Sequence, residues 1–214
     1  MNLYLGSCRY GPSGLKLNNN INWLSFPARL HTTKEIIYFL ENIENLNNMI
    51  TLFSKELINY IFGNFYHSLV IDDINIFLNT KIDTKQLKNL FLEISSRNIY
   101  YYKNIIPINA YLAELNTEII EKYNLQHHIL NDDEIKNDII YICLLINNKF
   151  SLNTKITIIT HVDLKLSKTK QYIEKRHNFI ILLETICSEL NINIVNPGKI
   201  FEKIYGENVV MDDK

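Results

Sequence analysis

Short apolar runs alternate with amphipathic stretches along the chain. The apolar runs are rich in β-branched residues, which is typical of strands. Five strands are predicted in this way, at residues 2–6, 67–73, 89–98, 155–163 and 192–197. Between most of them the apolar positions recur at helical spacing. This alternation predicts an α/β fold in which helices flank a mainly parallel, five-stranded sheet.

The helical pattern is clearest where capping signals accompany it. Thr32 and Glu35 have the spacing of a capping box, which predicts that a helix starts after Thr32. The helical pattern resumes towards Gly63, and further helices are predicted at residues 109–123, 132–148 and 169–190 and near the C-terminus. Residues 8–31 are predicted to form a long, packed loop, and residues 99–131 an insertion over the sheet. We expect a single domain over residues 1–214.

The composition excludes several classes of binding partner and site. With 214 residues, 47% of them hydrophobic, the chain can bury a substantial core, and its net charge of -1 makes nucleic acid a poor partner. Its three cysteines, Cys8, Cys143 and Cys187, are too widely spaced to predict disulfides or a zinc site. No apolar window of about 18 residues is present. We therefore expect a soluble, cytoplasmic protein without metal, cofactor or membrane segment.

Polar residues follow each predicted strand. They are Ser7-Cys8-Arg9, Asp72-Asp73, Ser95-Ser96-Arg97, His161 with Asp163, and Asn196. In an open α/β sheet, ligands bind beyond the carboxyl ends of the strands. The sequence therefore predicts a functional site at this edge of the sheet.

Ser7 is the predicted nucleophile, because Gly6 allows a tight turn that exposes its hydroxyl. A serine needs a neighbouring base and oxyanion donors. His161 is the candidate base, with Asp163 orienting its ring, and the N–H of Cys8 is a candidate oxyanion donor. Two alternatives stay open: Ser7 caps the turn, or Cys8 is the nucleophile with its thiol pKa lowered by Arg9.

The segment LYLGSCR at the first strand resembles the opening block of the SGNH/GDSL hydrolase superfamily, and most closely its GSC-type, GSCFA-like branches. The order LGSC, LFLEISS, ITIITHVD, INIVNP and VVMDD is similar to these domains over most of the chain. The resemblance implies a flavodoxin-like, three-layer α/β/α sandwich that hydrolyses or transfers acyl esters. It makes Ser7 the nucleophile and places the N–H of Cys8 in the oxyanion hole.

Some family positions are occupied differently here. No glycine follows the predicted second strand in VIDDIN, and Ser95, Ser96 or Asn98 stands where the family has an oxyanion asparagine. The family's base lies in an Asp-x-x-His block. Asp212 and Asp213 supply its aspartates, and the histidine would fall beyond Lys214, so His161 is the candidate base within the chain.

Three functional hypotheses follow. The first is a serine-dependent esterase or acyltransferase acting on acyl, especially acetyl, esters of a carbohydrate or small molecule. The second is a non-catalytic module that binds an anion or glycan through arginines, and the third is a cysteine enzyme using Cys8. Arginine binds carboxylates and phosphates bidentately. The predicted oxyanion and substrate-binding residues are Cys8, Arg9, Ser96, Arg97, Asn98 and Arg176.

Overall fold

The computed structural model describes residues 2–6, 23–45, 48, 51–61, 86–109, 113, 117–150, 152–206 and 208–211. Its strands are β1 (Asn2–Gly6), β2 (Trp23–Arg29), β3 (Asn89–Ile94), β4 (Asn98–Tyr102), β5 (Ile106–Ile108), β6 (Gln126–Ile129), β7 (Lys155–Thr160), β8 (Lys165–Leu166), β9 (Asn193–Val195) and β10 (Val210–Met211). Its helices are α1 (Thr33–Asn42), α2 (Lys55–Ile61), α3 (Thr117–Lys122), α4 (Asp132–Lys149), α5 (Glu174–Glu189) and α6 (Pro197–Tyr205).

The main sheet has the strand order β2-β1-β3-β7-β9, and all of its neighbouring strands run parallel. The central strand β3 is in register with both neighbours: Leu90 pairs with Leu3 of β1 and with Ile156 of β7. Because all five strands run in the same direction, their carboxyl ends lie at one edge of the sheet. The predicted α/β class with a mainly parallel sheet is confirmed.

Several predicted elements coincide with observed ones, and one prediction is wrong. Strands form within residues 2–6, 89–98, 155–163 and 192–197, whereas the predicted strand 67–73 lies outside the described residues. The predicted loop 8–31 contains strand β2, which pairs with β1 at the edge of the sheet. Pro27 lies within β2. Proline removes a ladder donor, so an edge strand is where a sheet tolerates it.

Helix α1 begins with the predicted capping box. The hydroxyl of Thr32 accepts the N–H of Glu35 at 3.2 Å, and the Glu35 carboxylate accepts the N–H of Thr32 at 2.8 Å. The apolar face of α1 belongs to a hydrophobic core that it shares with the central strands. Fully buried members of this core include Leu3, Leu5, Ile36, Phe39, Leu40, Leu90 and Leu92.

Residues 99–131, predicted to be an insertion, contain most of a second sheet. It is antiparallel, with the order β5-β4-β6, and follows directly after the carboxyl end of β3. The predicted helix at 132–148 is α4, and the one at 169–190 begins later than expected, at Glu174. Among the described residues, no helix combines the length and apolar character needed to cross a membrane.

Candidate functional site

The carboxyl ends of β1, β2 and β3 are joined by backbone hydrogen bonds. After β2, the N–H of Leu30 donates to the carbonyl of Gly6 at 3.3 Å. The carbonyl of the next residue, His31, accepts the N–H groups of Ser95 and Ser96 at 2.9 and 3.1 Å. The chain after β2 therefore contacts the end of its neighbour β1 and the end of the next strand, β3, so His31 lies at the predicted edge.

His31 brings an imidazole to a serine hydroxyl at this edge. Its Nδ1 lies 2.8 Å from Oγ of Ser95, and both residues are half-buried. His31 was not predicted to be a site residue, because the strand that precedes it was predicted to be a loop. Had β2 been recognised, the rule that ligands bind at strand ends would have identified this histidine.

Two further imidazoles lie at or near the end of β7. The Nδ1–H of His161 donates to the carbonyl of Val162 at 2.9 Å. Asp163 was predicted to orient His161, but its buried carboxylate oxygen Oδ2 accepts the Nδ1–H of His177 at 2.6 Å. His177 belongs to the first turn of α5, 14 residues further along the chain. The predicted His161–Asp163 pair is thus replaced by a His177–Asp163 pair.

The ring of His177 is held on a second side by Tyr172. The two rings are stacked, with centroids 4.3 Å apart and an interplanar angle of 15°. The hydroxyl of Tyr172 in turn donates to Oε1 of Glu202 in α6, at 2.8 Å. The side chain of His177 keeps 37% of its surface exposed, whereas that of Asp163 keeps 5%. A buried carboxylate therefore orients a partly exposed imidazole, an arrangement that is able to take up or release a proton.

Gly6, the residue before Ser7, is closely packed. A Cβ at this position would lie 2.5 Å from Cβ of Glu93 and 2.5 Å from Oη of Tyr4. Tyr4 and Glu93 are both buried, and the tyrosine hydroxyl donates to the carboxylate at 2.6 Å. A side chain at this position would clash with the hydrogen-bonded pair. Glycine is therefore required at the last residue of β1, directly before Ser7.

The predicted arginines have different partners. Arg97 donates to the Asp132 carboxylate at 2.6 Å, and its guanidinium carbon lies 5.0 Å from the ring centroid of Phe179. Arg176 donates to the Val162 carbonyl at 3.3 Å and contacts Sδ of Met211 at 3.5 Å. Arg176 therefore lies beside the His161–Asp163 segment, whereas Arg97 is directed towards α4 and α5.

The remaining predicted residues divide into two groups. The hydroxyl of Ser96 accepts the N–H of Asn98 at 3.0 Å, which closes the turn between β3 and β4. The other predictions, at Ser7, Cys8, Arg9, Asp72, Asp73, Asp212 and Asp213, lie outside the described residues. Within the described ranges, no cluster of three or more histidine, cysteine or acidic side chains is arranged to hold a metal ion.

The chain matches no family model, no curated protein and no solved structure. The described site contains three imidazoles, one buried carboxylate that orients an imidazole, and one serine–imidazole hydrogen bond, all near the carboxyl edge of a parallel sheet.

Proposed function

We propose that the protein is a serine-dependent esterase or acyltransferase acting on acyl esters of a carbohydrate or small molecule, with Ser7 as nucleophile. The observation that carries this proposal is the hydrogen bond between Asp163 and His177, because an imidazole oriented by a buried carboxylate is the base that a serine nucleophile requires. The proposed substrate is a small ester rather than nucleic acid or a membrane.

The strand that leads to Ser7 is β1, which ends at Gly6 at the carboxyl edge of the sheet. Strand β7 is two strands away, a separation of about 10 Å between strand axes. Side chains that extend from both strand ends can approach a substrate bound between them. The N–H of Cys8 remains the proposed oxyanion donor.

The proposed base is His177, with Asp163 as its orienting carboxylate. A carboxylate accepts hydrogen bonds only, so Nδ1 of His177 carries the proton and Nε2 is the accepting nitrogen of the neutral ring. Nδ1 of His161 likewise bonds an acceptor, the Val162 carbonyl. The carboxylate stabilises the imidazolium that forms during catalysis more strongly than a carbonyl does, which favours His177.

The fold supports the same proposal. Counted along the chain, the strands of the main sheet have the order 2-1-3-4-5, which is the order of flavodoxin-like sheets. We therefore propose a flavodoxin-like, three-layer α/β/α sandwich. The alternative of an arginine-lined anion-binding module is less well supported, because the Asp132 carboxylate already binds Arg97 and would compete with an external anion.

Hydrolysis of p-nitrophenyl acetate by the full chain tests this function. We expect Ser7→Ala to lower kcat/KM at least about 1,000-fold and to remove labelling of the Ser7 peptide by a fluorophosphonate probe. Asp163→Asn, which presents the wrong hydrogen-bonding group to Nδ1, and His177→Gln are expected to lower kcat by about 100-fold or more. Circular dichroism checks that each variant folds.

His161→Gln is the matched control, since it removes the other imidazole near the end of β7. We expect it to change kcat less than about 10-fold. Loss of activity in His161→Gln together with retention in His177→Gln would reassign the base to His161. Full activity of Ser7→Ala would rule out Ser7 as the nucleophile.

A further inference from the structure

Ser95 and His31 form a second serine–imidazole pair at the same edge of the sheet. We propose that Ser95 is a nucleophile in its own right, with His31 as its general base, and that it attacks acyl esters independently of Ser7. The distance of 2.8 Å between Oγ of Ser95 and Nδ1 of His31 lies within the range for a nucleophile and its base.

The pair is held in place by the backbone around it. The carbonyl of His31 accepts the N–H groups of Ser95 and Ser96, and the N–H of His31 donates to Oε2 of Glu35 at 2.5 Å. The carbonyl of His31 is therefore held by the end of β3, and its N–H is held by the N-terminal turn of α1. A base held by its backbone on two elements is preorganised for proton transfer.

The pair also lies at the edge of the sheet where a substrate can bind. His31 follows β2 and Ser95 follows β3, so both lie at the carboxyl edge where ligands of open α/β sheets bind. Both residues are half-buried, so each keeps part of its surface accessible to solvent. Leu30 also bonds the carbonyl of Gly6, which places the pair next to the end of β1.

The reaction balances with an ester and water as its only reactants. Oγ of Ser95 forms a bond to the ester carbonyl carbon while its proton passes to Nδ1 of His31, which gives a tetrahedral oxyanion. The bond from carbon to the alcohol oxygen then breaks, and the leaving alcohol takes the proton from Nδ1. Water, activated by the same nitrogen, cleaves the acyl-serine and regenerates both groups.

The test maps where a fluorophosphonate probe labels the full-length protein. Labelled peptides are quantified by mass spectrometry for the wild type, Ser7→Ala, Ser95→Ala and His31→Gln. Ser96→Ala is the matched control, because Ser96 is the adjacent half-buried serine and its hydroxyl bonds the N–H of Asn98 rather than an imidazole.

We expect labelling at Ser95 in the wild type and equally in Ser7→Ala and Ser96→Ala. It should disappear in Ser95→Ala and fall at least about 10-fold in His31→Gln. An unlabelled Ser95 in the wild type, or undiminished labelling in a folded His31→Gln variant, would overturn the proposal. Because labelling of the Ser7 peptide is measured in the same samples, failure at one serine is distinguishable from failure at the other.

A second comparison does not require the His31 variant to fold. Ser95→Cys places a thiol beside the imidazole of His31. Ser96→Cys places a thiol at the next residue, whose hydroxyl does not bond that imidazole in the wild type. A thiol next to an imidazole reacts faster because its thiolate form is stabilised. We expect iodoacetamide to alkylate the thiol introduced by Ser95→Cys about 10-fold faster than the one introduced by Ser96→Cys. Equal rates would contradict activation by His31.

Discussion

Glu35 illustrates how burial changes the behaviour of one carboxylate. Its Oε2 accepts two backbone N–H groups, yet desolvation outweighs them and raises its pKa to about 7. Glu134 occupies the same capping-box position in α4 but lies nearer the surface, where the N–H of Asn131 lowers its pKa. Two glutamates in the same capping position therefore have pKa values shifted in opposite directions, because desolvation is the largest effect on the buried Glu35 and is outweighed at Glu134.

This difference predicts opposite pH dependences of stability. A raised pKa means that the folded state holds the Glu35 proton more tightly than the unfolded state. The contribution of Glu35 is thus present below pH 4.5 and is lost as the pH rises to about 7, a loss of about 3 kcal/mol in the free energy of unfolding. Glu35→Gln should remove this slope in urea unfolding measured from pH 5 to 8.

Glu134→Gln is the matched control for that experiment. Because the pKa of Glu134 is lowered, its stabilising contribution is present above the unfolded-state pKa and is lost as the pH falls. The variant should therefore lose stability relative to the wild type at neutral pH and converge with it in acid.

Parallel pH profiles for the wild type and Glu35→Gln would show that Glu35 does not titrate in this range.

At the scale of elements, periodicity and capping predict much of what the structure contains. The capping box of α1 and the apolar runs of β1, β3 and β7 depend on neighbouring residues, so the sequence reveals them. Strand β2 escaped prediction because Pro27 is a loop signal unless the strand is known to lie at an edge. The partner of Asp163 escaped because it depends on how α5 packs over the sheet, which no local pattern encodes.

Helix α6 approaches the end of β7 so closely that only glycine fits at Gly198. A Cβ there would lie 2.1 Å from the carbonyl oxygen of Asp163, so α6 or the Asp163 segment must move. We expect Gly198→Ala to lower the free energy of unfolding by at least about 2 kcal/mol. Thermal and urea unfolding measure this loss.

Lys199→Ala serves as the control on the same helical turn. The Lys199 side chain is 65% exposed and bonds Glu184 at 2.7 Å, and an exposed ion pair of this kind contributes less than about 1 kcal/mol. A similar loss in both variants would indicate a general sensitivity of α6 rather than a clash at Asp163. A neutral Gly198→Ala would contradict the close approach itself.

At the scale of the whole molecule, Cys187 reports on cooperative unfolding. Its side chain is completely buried on α5 within the hydrophobic core, and burial raises its thiol pKa to about 12. Cys143 on α4 is half-buried, and burial raises its thiol pKa as well. The buried thiol of Cys187 is therefore protected from thiol reagents in the folded state, because the thiolate is the species that attacks.

Labelling of Cys187 should therefore require the core to open. In the Cys8→Ser variant at pH 8, we expect a maleimide to modify Cys187 at least about 1,000-fold more slowly than an unfolded control, in proportion to the population of the opened state. The rate should rise with urea with the same m-value as global unfolding measured by circular dichroism. A shallower slope would mean that α5 detaches while the sheet remains folded. Such local opening would also separate His177 from Asp163, so this measurement tells whether the proposed acid–base pair is as stable as the fold that positions it.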